Sequence, residues 1–283
     1  MLFSSIEGER RYTELVRAAA GSVIGLDFDG TLAPIVDDPT KAHIHPDARE
    51  VLVDLASEVA AIAVITGRPA RQALDLGGLE EVGDAIGAAG KELFLFGQYG
   101  NERWSSHRRR IVGPRPPRGL ATFERELPRV LRQADAADAY IEDKGLAVAV
   151  HTRRLDDPEA AFQRLLTPLR TLASGHGLIV EPGRNVIEVR SSGAHKGLVV
   201  ERLAEELGAE GFLFAGDDLG DLEAFEAVAT LEKHGLAALR VCSASREESA
   251  LLELADVVVH GPAGVMDLLR AFTRDARAAR AGG

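Results

Sequence analysis

The apolar positions of this chain fall into short runs separated by longer segments with helical spacing. Val23–Leu26, Ala61–Ile65, Glu92–Phe96, Gly211–Ala215, Ala237–Val241 and Val257–Val259 are too short for helices and read as buried strands. Helical spacing occupies residues 5–20, ending at Gly21, and Asp47–Val59, with Val51, Leu52 and Leu55 on one side. It returns at Ala70–Leu76, Leu198–Leu207, Asp221–Val228, Ser245–Leu254 and Pro262–Thr273. Strands alternating with helices predict one parallel sheet. The polar stretch Val36–His45 is expected to cross the top of that sheet, and the Ala-, Arg- and Gly-rich tail Arg274–Gly283 is expected to fray.

A different pattern interrupts the alternation. His107–Arg118 is basic, holds three prolines and reads as a link. Leu120–Gln133 and Pro158–Ala173 have helical spacing. Tyr140–Glu142 and Leu146–His151 read as strands around Lys144-Gly145, and Leu178–Pro182 with Asn185–Val189 as a hairpin turning at Gly183-Arg184. The order suggests a small α+β unit. The expected fold is therefore α/β, a Rossmann-like parallel-sheet core with an inserted α+β cap. The boundaries are core 1–108, cap 109–192 and core 193–283.

Composition narrows the class only a little. The 283 residues are 46% hydrophobic, enough for a sizeable core, and carry a net charge of -11, which argues against a general nucleic-acid binder. Cys242 is the single cysteine, so no internal disulfide can form and a reducing, cytoplasmic setting is expected. Charges interrupt the N-terminal segment where a signal peptide needs its apolar run, and no stretch has membrane-spanning length.

Chemistry gathers at the strand ends. Asp27 and Asp29 follow the first buried run two residues apart, so an extended chain would aim both at one cleft along the carboxyl edge of the sheet. Thr66 follows the second run, and Asp217 and Asp218, with Asp221 nearby, follow Gly211–Ala215. Carboxylates meeting from two strands make the oxygen-rich site that Mg²⁺ takes. Lys196 heads a helix, where a cation is poorly placed unless an anion is bound beside it. Asp27 beside a cation is a credible nucleophile toward phosphorus, and Asp29 a credible general acid and base. A dinucleotide site is disfavoured, since no GxGxxG follows the first strand.

Asp27-Phe28-Asp29-Gly30-Thr31-Leu32, Thr66-Gly67-Arg68, Lys196-Gly197 and Gly216-Asp217-Asp218-Leu219-Gly220-Asp221 resemble the four motifs of haloacid dehalogenase-type phosphatases. The resemblance implies Asp27 as nucleophile, Asp29 as acid and base, and Thr66 and Lys196 as phosphate ligands. It places Mg²⁺ on Asp27, the Asp29 carbonyl and Asp217, with Asp218 in support. Within that superfamily the chain is most similar to the trehalose-6-phosphate phosphatases, through Gly97-Gln98-Tyr99-Gly100, Glu102-Arg103-Trp104, Ile141–Gly145, Val150–Arg153 and Gly193–Gly197. It departs from them in the fourth motif, with Gly220 in place of Thr and Leu222 in place of Glu. The implied partner is a small sugar phosphate, with Arg68, Glu142, Lys144, His151, Arg153 and Glu181 as substrate-binding residues. Another disaccharide phosphate or a glycosyl-phosphoglycerate remains open, as does the oligomeric state.

Overall fold

The computed structural model describes residues 2–36, 38–183, 185–244 and 251–282. It divides into two compact units, Met1–Gly113 with His195–Gly283, and Pro114–Ala194. The first half of the larger unit holds β1 (Leu2–Phe3), α1 (Ile6–Arg17), β2 (Ser22–Leu26), α2 (Ala48–Ala56) and β3 (Ala61–Ile65). It continues with α3 (Ala70–Gly77), α4 (Leu79–Ala88), β4 (Leu93–Gly97) and β5 (Glu102–Ser105). The smaller unit is α5 (Leu120–Gln133), β6 (Tyr140–Asp143), β7 (Ala147–His151), α6 (Pro158–Gly175), β8 (Ile179–Gly183) and β9 (Val186–Arg190). The larger unit resumes with α7 (Lys196–Leu207), β10 (Gly211–Gly216), α8 (Leu222–Lys233), β11 (Ala237–Ala244), β12 (Val257–His260) and α9 (Gly261–Gly282).

The larger unit is built on an eight-stranded sheet in the order β1-β12-β11-β10-β2-β3-β4-β5. β12 through β4 run parallel, and β1 and β5 close the two edges antiparallel. Alternation along β2 and β3 feeds two cores. Ile24, Leu26, Ile62 and Val64 pack with α1, α2, α4 and α9, while Val23, Ala61, Ala63 and Ile65 pack with α7 and α8. The smaller unit has an antiparallel sheet, β6-β7-β9-β8. Val148, Val150, Ile187 and Val189 of that sheet pack on α5 and α6.

Several sequence expectations need correction. The tail does not fray where expected: α9 runs through Gly282, docked by ion pairs from Arg277 and Arg280 to the buried Glu58. Alanine-rich composition is also intrinsically helical. No element was expected between Leu76 and Glu92, yet α4 forms there and buries Leu79, Val82 and Ile86. β1 and β5 are further additions, the second made of charged residues around the buried Trp104. The link folds back on β5 before leaving the larger unit, through a bridge of Arg103 to Val112. Within Val36–His45, Pro39–Lys41 form a 3-10 turn and Asp37 lies outside the described residues. The expected helix Ser245–Leu254 lies outside them as far as Ala250, with a 3-10 turn at Leu252–Leu254, and so does Arg184 of the hairpin turn. Among the described residues no helix is long and apolar enough to cross a membrane.

Candidate active site

The site grows from the carboxyl ends of β2, β3 and β10, which are neighbours in the sheet. Asp27 continues the β2 ladder by one bond, its N–H donating to the Ala215 carbonyl at 2.9 Å. Phe28 turns into the core and is fully buried, an anchor worth roughly 2–3 kcal/mol. The chain then reverses at Gly30, whose φ of +72° suits glycine. A Cβ at Gly30 would stand 2.1 Å from Asp217 Oδ2, so only glycine lets the two loops approach. The Gly30 carbonyl is fixed by the buried Ser243 hydroxyl at the end of β11, which donates to it at 2.6 Å.

Lys196, at the first turn of α7, is the electrostatic centre. Its Nζ donates to Asp27 Oδ1 at 2.5 Å and to Asp221 Oδ1 at 2.6 Å, and all three side chains are buried. Asp221 Oδ2 accepts from the Asp217 N–H at 3.0 Å. Asp27, Asp217 and Asp221 each bring an oxygen within 4.8 Å of the others. Burial raises Asp27 well above the ordinary carboxylate value against the pull of Lys196. Burial, with Asp27 and Asp218 nearby, pushes Asp217 up to about 10. Burial also raises Asp221, again against Lys196. Burial acts to lower Lys196, but the Asp221 and Asp27 carboxylates outweigh it and hold the ammonium well above its usual range.

This donor set fits a divalent cation. Two buried carboxyls and the half-buried Asp217 crowd around one ammonium, more acidic groups than it can neutralise, and hard oxygen donors are what Mg²⁺ prefers. Asp221 engages both oxygens on N–H donors, which makes it an anchor for Lys196 and the Asp217 backbone. Sequence reasoning noticed Asp221 but left it out of the ligand set. The readable signal was its place at the start of a helix four residues after Asp217. Asp218 stands outside the group: it is exposed, and its Oδ1 accepts from the Gly220 N–H at 2.9 Å.

On the β3 side, Thr66 is buried and its Oγ1 accepts from the Arg68 N–H at 3.1 Å. Arg68 forms a bidentate pair with Asp29 and donates to the Pro39 carbonyl at 2.8 Å. The turn Thr66–Pro69 is held from behind by residues 96–102. Thr66 N–H donates to Phe96 O, Tyr99 N–H to Thr66 O and Gln98 N–H to Arg68 O. Pro69 offers α3 no side-chain cap, and Glu102 Oε2 supplies one by accepting from Ala70 N–H at 2.6 Å. Gln98 and Tyr99 hold left-handed φ values of 47° and 59°, a strain of ~1 kcal/mol each. Ser243, Glu102 and this strained pair had no part in the sequence-based site.

The remaining candidates lie in the smaller unit. Glu142 on β6 pairs with His151 on β7 at 2.9 Å, Lys144 with Glu188 on β9 at 2.5 Å, and Glu181 on β8 with Arg190 on β9 at 3.0 Å. Arg153 is exposed in the turn after β7, and it is Arg154 that stands over the Tyr140 ring, at 5.0 Å.

Residues 25–95 and 124–257 match the family model of the trehalose-phosphatases. An uncharacterized glycosyl hydrolase of Mycobacterium tuberculosis is 34% identical over 230 residues, 77% of this chain and 16% of that protein. Trehalose-phosphate phosphatase B of Arabidopsis thaliana is 29% identical over 76% of this chain and 59% of its own length. The chain thus spans less than two thirds of these curated relatives. Among solved structures, the C-terminal domain of a trehalose-6-phosphate phosphatase from C. albicans superposes with a TM-score of 0.76 at 20% identity, covering 96% of this chain and 98% of that one. The chain belongs to the trehalose-phosphatase family, with a core-and-cap hydrolase fold of the haloacid dehalogenase type.

Proposed function

We propose that this protein hydrolyses trehalose 6-phosphate to trehalose and inorganic phosphate, through a phosphorylated Asp27. The observation that carries the reading is Lys196, buried between Asp27 and Asp221 beside Asp217. Asp27 attacks phosphorus and forms an acyl phosphate, while the bond to the sugar oxygen breaks. Asp29 protonates the departing sugar oxygen and then takes a proton from the water that cleaves the acyl phosphate, help worth roughly 10²- to 10⁴-fold. Lys196 and Thr66 hold phosphoryl oxygens. Asp27, Asp217 and the Asp29 carbonyl would hold Mg²⁺, with Asp218 in support. Bound there, the cation supplies the charge that lets a carboxylate approach a phosphoryl group. Glu142, Lys144, His151, Arg153 and Glu181 of the smaller unit read the sugar. The family match and the similarity to the plant phosphatase support this substrate.

A second reading keeps the chemistry and changes the sugar. The observation behind it is Gly220, where the resembling phosphatases carry a threonine; a Cβ there would stand 3.1 Å from Asp218 Oδ1.

The deciding assay is phosphate release from trehalose 6-phosphate, glucose 6-phosphate, sucrose 6-phosphate and an aryl phosphate, with Mg²⁺ and with chelator. The expected result is a preference for trehalose 6-phosphate that chelation and Asp27→Asn both abolish. Metal-dependent aryl phosphate hydrolysis without turnover of trehalose 6-phosphate would discard the substrate and keep the mechanism.

A further inference from the structure

Three consecutive residues after β4 hold left-handed backbone, Gln98 at φ 47°, Tyr99 at 59° and Gly100 at 101°. Only the third is a glycine, and other side chains rarely adopt such angles. Strain of this kind persists where the surroundings overdetermine it, and it clusters beside working sites. Here the surroundings are two elements that the proposed mechanism uses.

On one side the segment grips the turn after β3. Tyr99 N–H donates to the Thr66 carbonyl at 2.9 Å and Gln98 N–H to the Arg68 carbonyl at 2.8 Å. The outer end of the Tyr99 ring lies on Gly67, where a Cβ would stand 2.8 Å from both Cζ and Oη. On the other side the segment meets α7. A Cβ at Gly100 would stand 2.3 Å from Cγ2 of Val199. Val199 lies three residues beyond Lys196, on the same side of the helix. Gln98, Val199 and Lys196 are all buried. Thr66 follows β3 in the first half of the larger unit and Lys196 opens α7 in the second, so no run of backbone fixes their separation. The strained turn packs against both.

We propose that Gln98-Tyr99-Gly100 is a spacer, with Tyr99 its positioning residue, that sets the distance between the Thr66 hydroxyl and the Lys196 ammonium to fit one phosphoryl group. This rests on the phosphatase reading above and assigns Tyr99 to the seat of the phosphoryl group, not to the sugar.

The test compares the full-length wild type with Tyr99→Phe, Tyr99→Asn, Gly67→Ala and the double variant Gly67→Ala/Tyr99→Asn. Each is assayed with Mg²⁺ on trehalose 6-phosphate and an aryl phosphate, with orthovanadate as inhibitor, and thermal melts record folding. Tyr99→Asn keeps a residue at ease with left-handed backbone and removes the ring. Its kcat should fall about 10- to 100-fold on both substrates alike, with KM moved less than about threefold. The orthovanadate Ki should rise as kcat/KM falls, since the inhibitor takes the geometry of the reacting phosphoryl group. Tyr99→Phe, which keeps the ring, should keep about half of kcat or more. Gly67→Ala pushes on the same ring and should lose as much as Tyr99→Asn, and the double variant no more than the worse single one. Wild-type kcat in Tyr99→Asn, a loss confined to trehalose 6-phosphate, an unmoved orthovanadate Ki, or losses that multiply in the double variant would overturn the inference alone. A wild type that cleaves no phosphate ester would overturn the phosphatase reading and the inference with it. Should Tyr99→Asn not fold, Gly67→Ala carries the same comparison of kcat, KM and Ki.

Discussion

Arg68 holds both carboxylate oxygens of Asp29, with Nε on Oδ2 at 2.6 Å and Nη2 on Oδ1 at 2.7 Å. The guanidinium also stands 5.4 Å from the centroid of the Phe28 ring. An arginine expected from sequence to touch substrate is thus engaged by Asp29, the proposed acid and base. Replacing it should strike proton transfer before it strikes binding. Arg68→Lys cannot keep the two-pronged contact, so kcat should fall roughly 10- to 100-fold with KM changed little. Steady-state kinetics on trehalose 6-phosphate decides it. A rise in KM at constant kcat would return Arg68 to substrate binding.

The Gly30 turn should tolerate very little. Gly30→Ala would press a methyl group onto Asp217 and force an alanine to φ +72°. Activity should fall at least 100-fold, with weaker Mg²⁺ dependence. Ser243→Ala removes the hydrogen bond to the Gly30 carbonyl and should cost about 1 kcal/mol of stability. Phosphate release and urea melts on the two variants would separate their effects. Full activity in Gly30→Ala would mean the loops can part without harm.

Glu102 should act through the turn it caps. Glu102→Ala removes the acceptor for the Ala70 N–H at the head of α3, a loss of about 1 kcal/mol. Glu102→Gln keeps an acceptor and should recover most of it. If turnover follows the same order, the Thr66–Arg68 turn is being positioned from behind; equal turnover in both variants would limit Glu102 to a stabilising role.

The docking of α9 gives a pH-dependent stability. Burial alone would raise Glu58, but Arg277, Ser57 and Arg280 outweigh it and hold its pKa below the ordinary carboxylate value. A folded value below the unfolded one means the contribution is complete above the unfolded pKa, about 4.3. It is lost as pH falls through the folded value. Glu58→Gln should therefore cost ~1–3 kcal/mol at pH 7, with the gap to wild type closing toward pH 3 in urea melts. A gap independent of pH would assign the loss to packing.

The buried strands were the most readable part of this chain, because β2 and β3 are short apolar runs ended by a polar turn. Ala61–Ile65 and the first four apolar residues of β2 follow from that contrast alone. α4 was hidden because Gly77-Gly78 precede it and Gly83 and Gly87 thin its apolar face; Gly78, at φ +53°, joins two helices instead of ending the pattern. β5 was hidden because an edge strand needs few apolar residues, and Glu102 and Arg103 look like loop. The carboxylates were visible as a set, since Asp27, Asp29, Asp217 and Asp218 follow strand ends and Asp221 opens the next helix. What spacing could not supply was their division of labour, in which Asp221 grips Lys196 while Asp218 turns to its own loop. Such partnerships depend on side-chain direction across neighbouring strands, where a single pleat reverses the face.

Lys196 and Asp27 touch, yet they stand 169 residues apart in the chain. β2 finds its neighbour β10 only after the intervening segment has been made. During synthesis Asp27 leaves the ribosome long before the Lys196 ammonium that holds it, and before Asp217 and Asp221. A nascent chain that has not reached α7 has a first motif and no reaction centre. A product ending in the cap would therefore hold Asp27 and Asp29 without Lys196, Asp217 or Asp221, and would lack the assembled cluster.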